Sequence, residues 1–343
     1  VSPHPKPTIL YQKTLGCLLG GLIGDAIGTP TEGLDDRQIE AQFGWVSDFH
    51  SDGTDDTVMK DLLAEALVRT GGYATLDDWA QVWLDNWQAI FGDKLGKFFV
   101  SVIHTAQKLK RHAVPRMAAL GNMPSSSSAM CISPVGIVNA CNPAGAALQA
   151  YNLASLIHVH DVGFCQDGAA AMAAAVAEAM HPEATVERVL QAAVRAIVPR
   201  SGQEMRGRVS RALDLARASG DYHAFRHAVY ARQDTFFCRI TCDSRETIPL
   251  TLALFLLGDG DVERCVTYAA NLGRDADTIG TMCGAIAGAL GGVEGIRGDW
   301  AEKAKSLART DQEALAQRLA QVAMAKVERE GEARAAFERI AGL

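Results

Sequence analysis

Aromatic residues are scarce: Phe, Trp and Tyr make up 6% of the 343 residues. That argues against a β-sandwich, which is stocked with Tyr, Val and Thr. No strand-type alternation runs beyond a few residues, and no internal repeat is present. Positive charge is also short, with 33 Lys and Arg against 40 Asp and Glu, a net charge of −7. Stable nucleic-acid binding needs the opposite sign. No apolar run reaches the roughly 18 residues of a membrane span. Leu15–Ile27 and Ile279–Val293 come nearest and are broken by glycine. No membrane association is expected. None of the 8 cysteines has C-x-x-C spacing, and the nearest pair, Cys238 and Cys242, is four apart. Buried free thiols of a cytoplasmic protein are expected, not zinc or disulfides. Val1–Pro7 holds three prolines and no apolar core of a signal peptide. Residues 1–8 read as a disordered lead-in to a single domain over residues 9–343.

Small residues and helical patterns are what the chain does have. The composition is 48% hydrophobic, with 32 glycines. Gly16, Gly20, Gly24 and Gly28 recur every four residues, hence on one face of a helix. A helix-interior glycine costs about 1 kcal/mol, so four of them call for a close approach by another backbone. Gly280, Gly284 and Gly288 repeat the pattern, and the two segments are expected to be central and to cross. Thr75 with Asp78 forms a capping-box pattern before a Trp79, Trp83, Trp87 stripe. Asn142-Pro143 reads as a helix start. Helices are also expected over Phe164–Met180, Ala184–Val198, Glu204–Ala218 and Val262–Leu272. Another starts at Thr310 and runs to Glu330, with Gly331 as its break. The charged run after Asp299 reads as a solvated face. Arg239, Arg245 and Glu246 read as surface pairs. The fold class is all-α. Two stretches, Thr29–Thr57 and His112–Gly136, read as long loops, which in compact domains are usually functional.

Two acidic clusters each stand at a helix start. One is Ser51-Asp52-Gly53-Thr54-Asp55-Asp56-Thr57, and the other is Gly273-Arg274-Asp275-Ala276-Asp277-Thr278. One Asp or Thr satisfies a cap. These clusters carry more acid than capping uses, and crowded carboxylates repel unless a cation sits among them. All-oxygen donors point to hard cations, Mg2+ or Mn2+, and four carboxylates are enough for two of them.

Three stretches together resemble the ADP-ribosylglycohydrolase family, which includes the dinitrogenase reductase-activating glycohydrolases. They are Gly20-Gly21-Leu22-Ile23-Gly24-Asp25-Ala26-Ile27-Gly28 with Pro30 and Glu32, then Thr54-Asp55-Asp56-Thr57, then Asn271-Leu272-Gly273-Arg274-Asp275-Ala276-Asp277-Thr278-Ile279-Gly280 running into Gly284-Ala285-Ile286-Ala287-Gly288. They keep the family's order over most of the chain. The resemblance implies a compact orthogonal helical bundle with a dinuclear Mg2+ or Mn2+ site. It places Thr54, Asp55, Asp56, Asp275, Asp277 and Thr278 as metal ligands, Glu32 beside the substrate ribose and Asp25 in support. The general base stays open among Glu32, Asp55 and Asp56.

The family's substrate loop corresponds to Gly121 through Gly136, which makes Asn122, Ser127, Ser128 and Met130 candidate substrate contacts. The family's histidine near the following helix start falls on His160, in His158-Val159-His160-Asp161. Cys131 stands where an arginine is common, and cysteine cannot replace a bidentate phosphate partner. The expected activity is metal-dependent hydrolysis at ribose C1 of an ADP-ribosyl group, free or carried on a modified protein. A nucleoside glycosidase and a non-catalytic, crystallin-like member are the alternatives. A non-glycosidic two-metal phosphoesterase fits the pattern less well.

Overall fold

Two glycine-rich helices meet backbone to backbone at the centre of the molecule. In the computed structural model, which describes residues 8–342, helix Ile9–Gly28 runs antiparallel along helix Ala276–Gly291. Gly16 faces Gly288, Gly20 faces Gly284 and Gly24 faces Gly280. A methyl group on any of them would overlap the partner's carbonyl oxygen. Past the last pair, Gly28 abuts the backbone of Asp277. Antiparallel packing therefore lays the end of the first helix, with Glu32 just beyond it, beside the start of the second.

The chain is 73% helical, and no strand occurs among the described residues. One contiguous apolar core joins the helices. Helix Gly163–Ala179, rich in alanine, is buried along almost its whole length. No described helix is long and apolar enough to cross a membrane. The described cysteines are all free; Cys141 is exposed, Cys238 and Cys242 are half-buried, and the other five are buried. Val1–Pro7 lies outside the described residues. Thr8 caps the first helix by accepting the Tyr11 amide, so it belongs to the fold.

Two of the local capping signals were sound. Thr75 and Asp78 form a reciprocal capping box, and Asn142 caps helix Pro143–Ala154. Four expectations need correction. Helix Gln312–Ala341 continues through Gly331, where a glycine on an exposed face meets no steric demand to stop. Its cap is Asp311, not Thr310. The tryptophan stripe is split, because helix Leu76–Asp85 ends before Trp87 and a π-helical turn, Trp87–Phe91, follows. Trp79 and Trp83 remain edge to face in the core. Finally, neither long loop is wholly irregular. The first contains helix Asp36–Phe43, closed by an Asp35–Gln38 capping box. The second contains the short helix Pro115–Ala118 and runs into helix Ser133–Val138.

Candidate active site

The first acidic segment is shaped by Asp25, a fully buried carboxylate on the last turn of the first glycine helix. It accepts four hydrogen bonds: from the Thr54 amide (2.9 Å), the Thr54 hydroxyl (2.9 Å), the Thr57 amide (3.1 Å) and the Thr57 hydroxyl (2.6 Å). Gly53 must be glycine, because its φ is +85° and a Cβ there would strike the Asp25 carboxylate. Helix Asp55–Arg69 then begins with Thr54 as its cap. Asp55 and Asp56 thus lie in its first turn.

The second segment is held by different means. Gly273 and Arg274 both take positive φ, +79° and +64°. The Arg274 guanidinium grips Glu246 through both carboxylate oxygens (2.7 and 2.8 Å) and also donates to the Cys238 carbonyl. Glu246 is completely buried, so it is no surface partner as its charge had suggested. Arg245 pairs with the exposed Glu204 and also with Asp243, which is buried. The Gly33 amide donates to the Arg274 carbonyl (2.6 Å), and the Arg274 amide donates to the Leu34 carbonyl (2.9 Å). That two-bond ladder ties the Glu32 turn to the Asp275 turn. Asp275 occupies a cap position without capping its helix; its carboxylate instead accepts the Ser126 hydroxyl (3.1 Å).

The two segments converge on a cavity of about 290 Å3 lined by Glu32, Asp55, Asp56, Asp275, Asp277 and Thr278. Carboxylate oxygens of Glu32, Asp275 and Asp277 lie within 4.8 Å of one another. Thr278 donates weakly to Asp56 at 3.4 Å. The other Asp56 oxygen, Oδ2, and Oδ1 of Asp277 are buried without any hydrogen-bond partner among the described residues. Burial, then the charges of neighbouring carboxylates, raises Asp56 and Asp277 well above the ordinary range. Asp55 is pushed up to about 7 by burial and then by Asp25. Asp275 is also pushed up to about 7, chiefly by burial. Glu32, at the exposed rim, is raised by partial burial and by Asp25. So many acids in one small space are stable only if protonated or if cations intervene. Orphaned carboxylate oxygens on residues that line one cavity are a donor set suited to hard divalent cations.

The substrate-loop candidates divide. Ser127 and Met130 line the cavity. Asn122 is buried behind it, its amide donating to Ser101 O, Thr105 Oγ1 and Ile157 O. Ser128 is buried too and bonds His158 Nδ1 at 2.8 Å. His160 is not gathered into the site; its side chain is 78% exposed beside Asp161. His158 lies inside instead, bridged between Ser128 and Ser125. Burial holds it neutral, down to about 3. Two histidines two residues apart gave no sequence signal for choosing between them. Cys131 points inward and donates to Ser127 O at 3.4 Å. Ser126, from the serine run of the substrate loop, also lines the cavity, as do Phe99 and Lys97, which nothing in the sequence singled out.

Residues 6–328 match the family model described as ADP-ribosylglycohydrolase. The chain belongs to the ADP-ribosylglycohydrolase family. Over 309 residues it is 28% identical to the uncharacterised protein YegU of Escherichia coli, covering 83% of this chain and 89% of that one. It is 25% identical to the ADP-ribosylhydrolase ARH3 of Bos taurus, covering 86% of this chain and 89% of that one. The human ARH3 is 24% identical, with 86% and 90% covered. A solved structure described as an ADP-ribosylglycohydrolase-related protein complex superposes with a TM-score of 0.67 at 22% identity. That match covers 92% of this chain and 99% of the other, and it shows a shared fold. The relatives support a hydrolase of the ADP-ribosylglycohydrolase type.

Proposed function

We propose that the chain hydrolyses the glycosidic bond at ribose C1″ of an ADP-ribosyl group, using two divalent cations, Mg2+ or Mn2+. Thr54, Asp55, Asp56, Asp275, Asp277 and Thr278 would hold them. The observation that carries this reading is the pair of orphaned oxygens, Asp56 Oδ2 and Asp277 Oδ1, brought from segments over 200 residues apart into one acidic cavity. Capping does not account for them, since Thr54 caps one helix and Asp275 leaves the other uncapped.

Bound cations supply positive charge that polarises water and ribose hydroxyls. The residues do the rest. Water adds to C1″ as the bond to the leaving atom breaks with its electron pair, through an oxocarbenium-like transition state. Glu32 and Asp55 both face the open cleft and are the carboxylates placed to take the water's proton. Asp56 sits deeper against Thr278, which favours ligation over proton transfer. Ser126 orients Asp275, and Asp25 fixes the turn that presents Asp55 and Asp56.

Cys131 favours a second reading, a neutral nucleoside as substrate, because the position offers a thiol turned into the core and no guanidinium. The test is a panel of ADP-ribosyl-arginine, ADP-ribosyl-serine, O-acetyl-ADP-ribose and nucleosides with Mg2+ or Mn2+. Release of ADP-ribose that EDTA and Asp277→Ala both abolish is expected. Release from nucleosides alone moves the assignment to the second reading. Activity that survives EDTA and Asp277→Ala overturns the metal-dependent mechanism. Divalent binding without turnover of any substrate overturns catalysis.

A further inference from the structure

The ribosyl reading leaves unassigned the group that holds a charged substituent beyond the ribose. The serine loop is the obvious candidate, but its hydroxyls are engaged inside the protein. Ser125 Oγ lies 2.9 Å from both Ser101 Oγ and His158 Nε2. Ser126 donates to Asp275, and Ser128 bonds His158. The Ser126 amide is taken by the Cys242 carbonyl at 2.6 Å. Cys131, buried, brings no charge.

A cation stands elsewhere on the cleft. The 290 Å3 cavity adjoins a second, of about 380 Å3, and both are lined by Glu32, Asp55, Lys97 and Phe98. Lys97 is exposed and has no ion-pair or hydrogen-bond partner among the described residues. The other cation lining the second cavity, Arg309, is held by Asp52 through both carboxylate oxygens. Val58, Ala89, Ile90 and Phe98 make the intervening wall apolar. An ammonium at the junction of an acidic chamber and an apolar one has a specific use. Even with two cations balancing the four aspartates, Glu32 leaves the chamber no surplus positive charge, so an anionic substituent of a substrate whose ribose enters there is met by a cation at the junction. Lysine is a compact point charge suited to phosphate.

We propose that Lys97 is the specificity-determining residue that binds the phosphate-bearing substituent of the ribosyl substrate. The anion subsite then includes the Phe98 wall, in the same cavity as Ser126 and Ser127. The uncharged remainder packs along Val58, Ala89 and Ile90. This rests on the ribosyl reading above.

Calorimetric titration of the full chain with Mg2+ tests it, using ADP-ribose and adenosine as probes. Lys97→Met is expected to weaken ADP-ribose by about tenfold or more, as loss of a charge-assisted hydrogen bond does, and adenosine far less. Lys97→Arg is expected to restore most of the ADP-ribose affinity. Lys110→Met, which removes an ammonium stacked on Trp87 outside the cleft, controls for net charge and should leave both probes unaffected. An equal loss for both probes, or no loss for ADP-ribose, overturns the role of Lys97 and leaves the ribosyl reading standing. If the unmodified chain binds neither probe, the ribosyl reading falls and the subsite falls with it.

Discussion

Arg274 grips Glu246 with both guanidinium nitrogens while its own backbone, in the left-handed region, delivers Asp275 to the cavity. Burial raises Glu246 although Arg274 pulls the other way, so the pair is held against a desolvation cost. Removing one partner leaves a buried charge alone. Arg274→Ala is expected to destabilise the chain by about 3–5 kcal/mol. Arg217→Ala, whose partners Glu187 and Asp214 are exposed, should cost clearly less. Urea unfolding of both variants checks the difference, and equal losses contradict it.

The glycine crossing predicts a contrast within one helix. Gly24→Ala places a methyl against the Gly280 carbonyl, where neither backbone can yield. A loss of about 3 kcal/mol or more is expected. At Gly21 a methyl would meet Ala285 at an ordinary 3.5 Å. Gly21→Ala should be neutral or up to about 1 kcal/mol stabilising, from helix propensity alone. Melting temperatures of the two variants should move in different directions or by very different amounts.

The acidic cavity predicts a pH-dependent response to Mg2+. Folding raises Asp55 and Asp275 from the usual carboxylate range to about 7. Groups raised on folding contribute stability in full below their unfolded value and lose it as pH rises through the folded value. The cation-free chain should therefore lose stability between about pH 4 and pH 7 from this source. Mg2+ should raise the melting temperature more at pH 8 than at pH 5, and binding near pH 6.5 should release protons. Proton release is read by titration calorimetry in buffers of different ionisation enthalpy, and its absence would count against the assigned ligands.

Asp277→Asn follows from the same repulsion. Removing one negative charge from a crowd should stabilise the cation-free chain while weakening its response to Mg2+. Thermal melts with EDTA and with Mg2+ would separate the two effects. A variant that melts lower in EDTA would show that the acids are not under mutual strain.

His158 works with the opposite sign. Folding lowers it to about 3 by burial, so its contribution is present above its unfolded value near 6.5 and is lost as pH falls towards 3. His158→Ala also strips partners from Ser125 and Ser128, and a loss of about 2 kcal/mol is expected at pH 7. His160→Ala should lie within about 0.5 kcal/mol of the unmodified chain, as exposed sites usually do. Unfolding at pH 7 and pH 5 distinguishes them.

The legible part of the chain was what repeats or caps locally. Four-residue glycine spacing implied two close-packed helices, and the helices cross where it placed them. Capping patterns at Thr75 and Asn142 were correct because they involve neighbours three residues away. The acidic motifs were visible because their charge exceeds what caps need. Long-range partnership was not legible. Glu246 pairs with Arg274 across 28 residues, and the ladder from Gly33 to Arg274 spans far more. Trp87 was misread because that helix's end is decided by what packs around it, and Gly331 because a helix-interior glycine lowers propensity without forcing a stop.

By itself the sequence determined helicity, the central glycine faces and the composition of two acidic clusters, all set by residue type and short spacing. Tertiary structure alone decided that Asp56 and Asp277 face one cavity with orphaned oxygens. It also put His158 inside and His160 outside, and it set Lys97 where two cavities meet. Burial and charge coupling depend on distances between segments far apart in the chain, and only the antiparallel crossing of the two glycine helices brings those segments within reach.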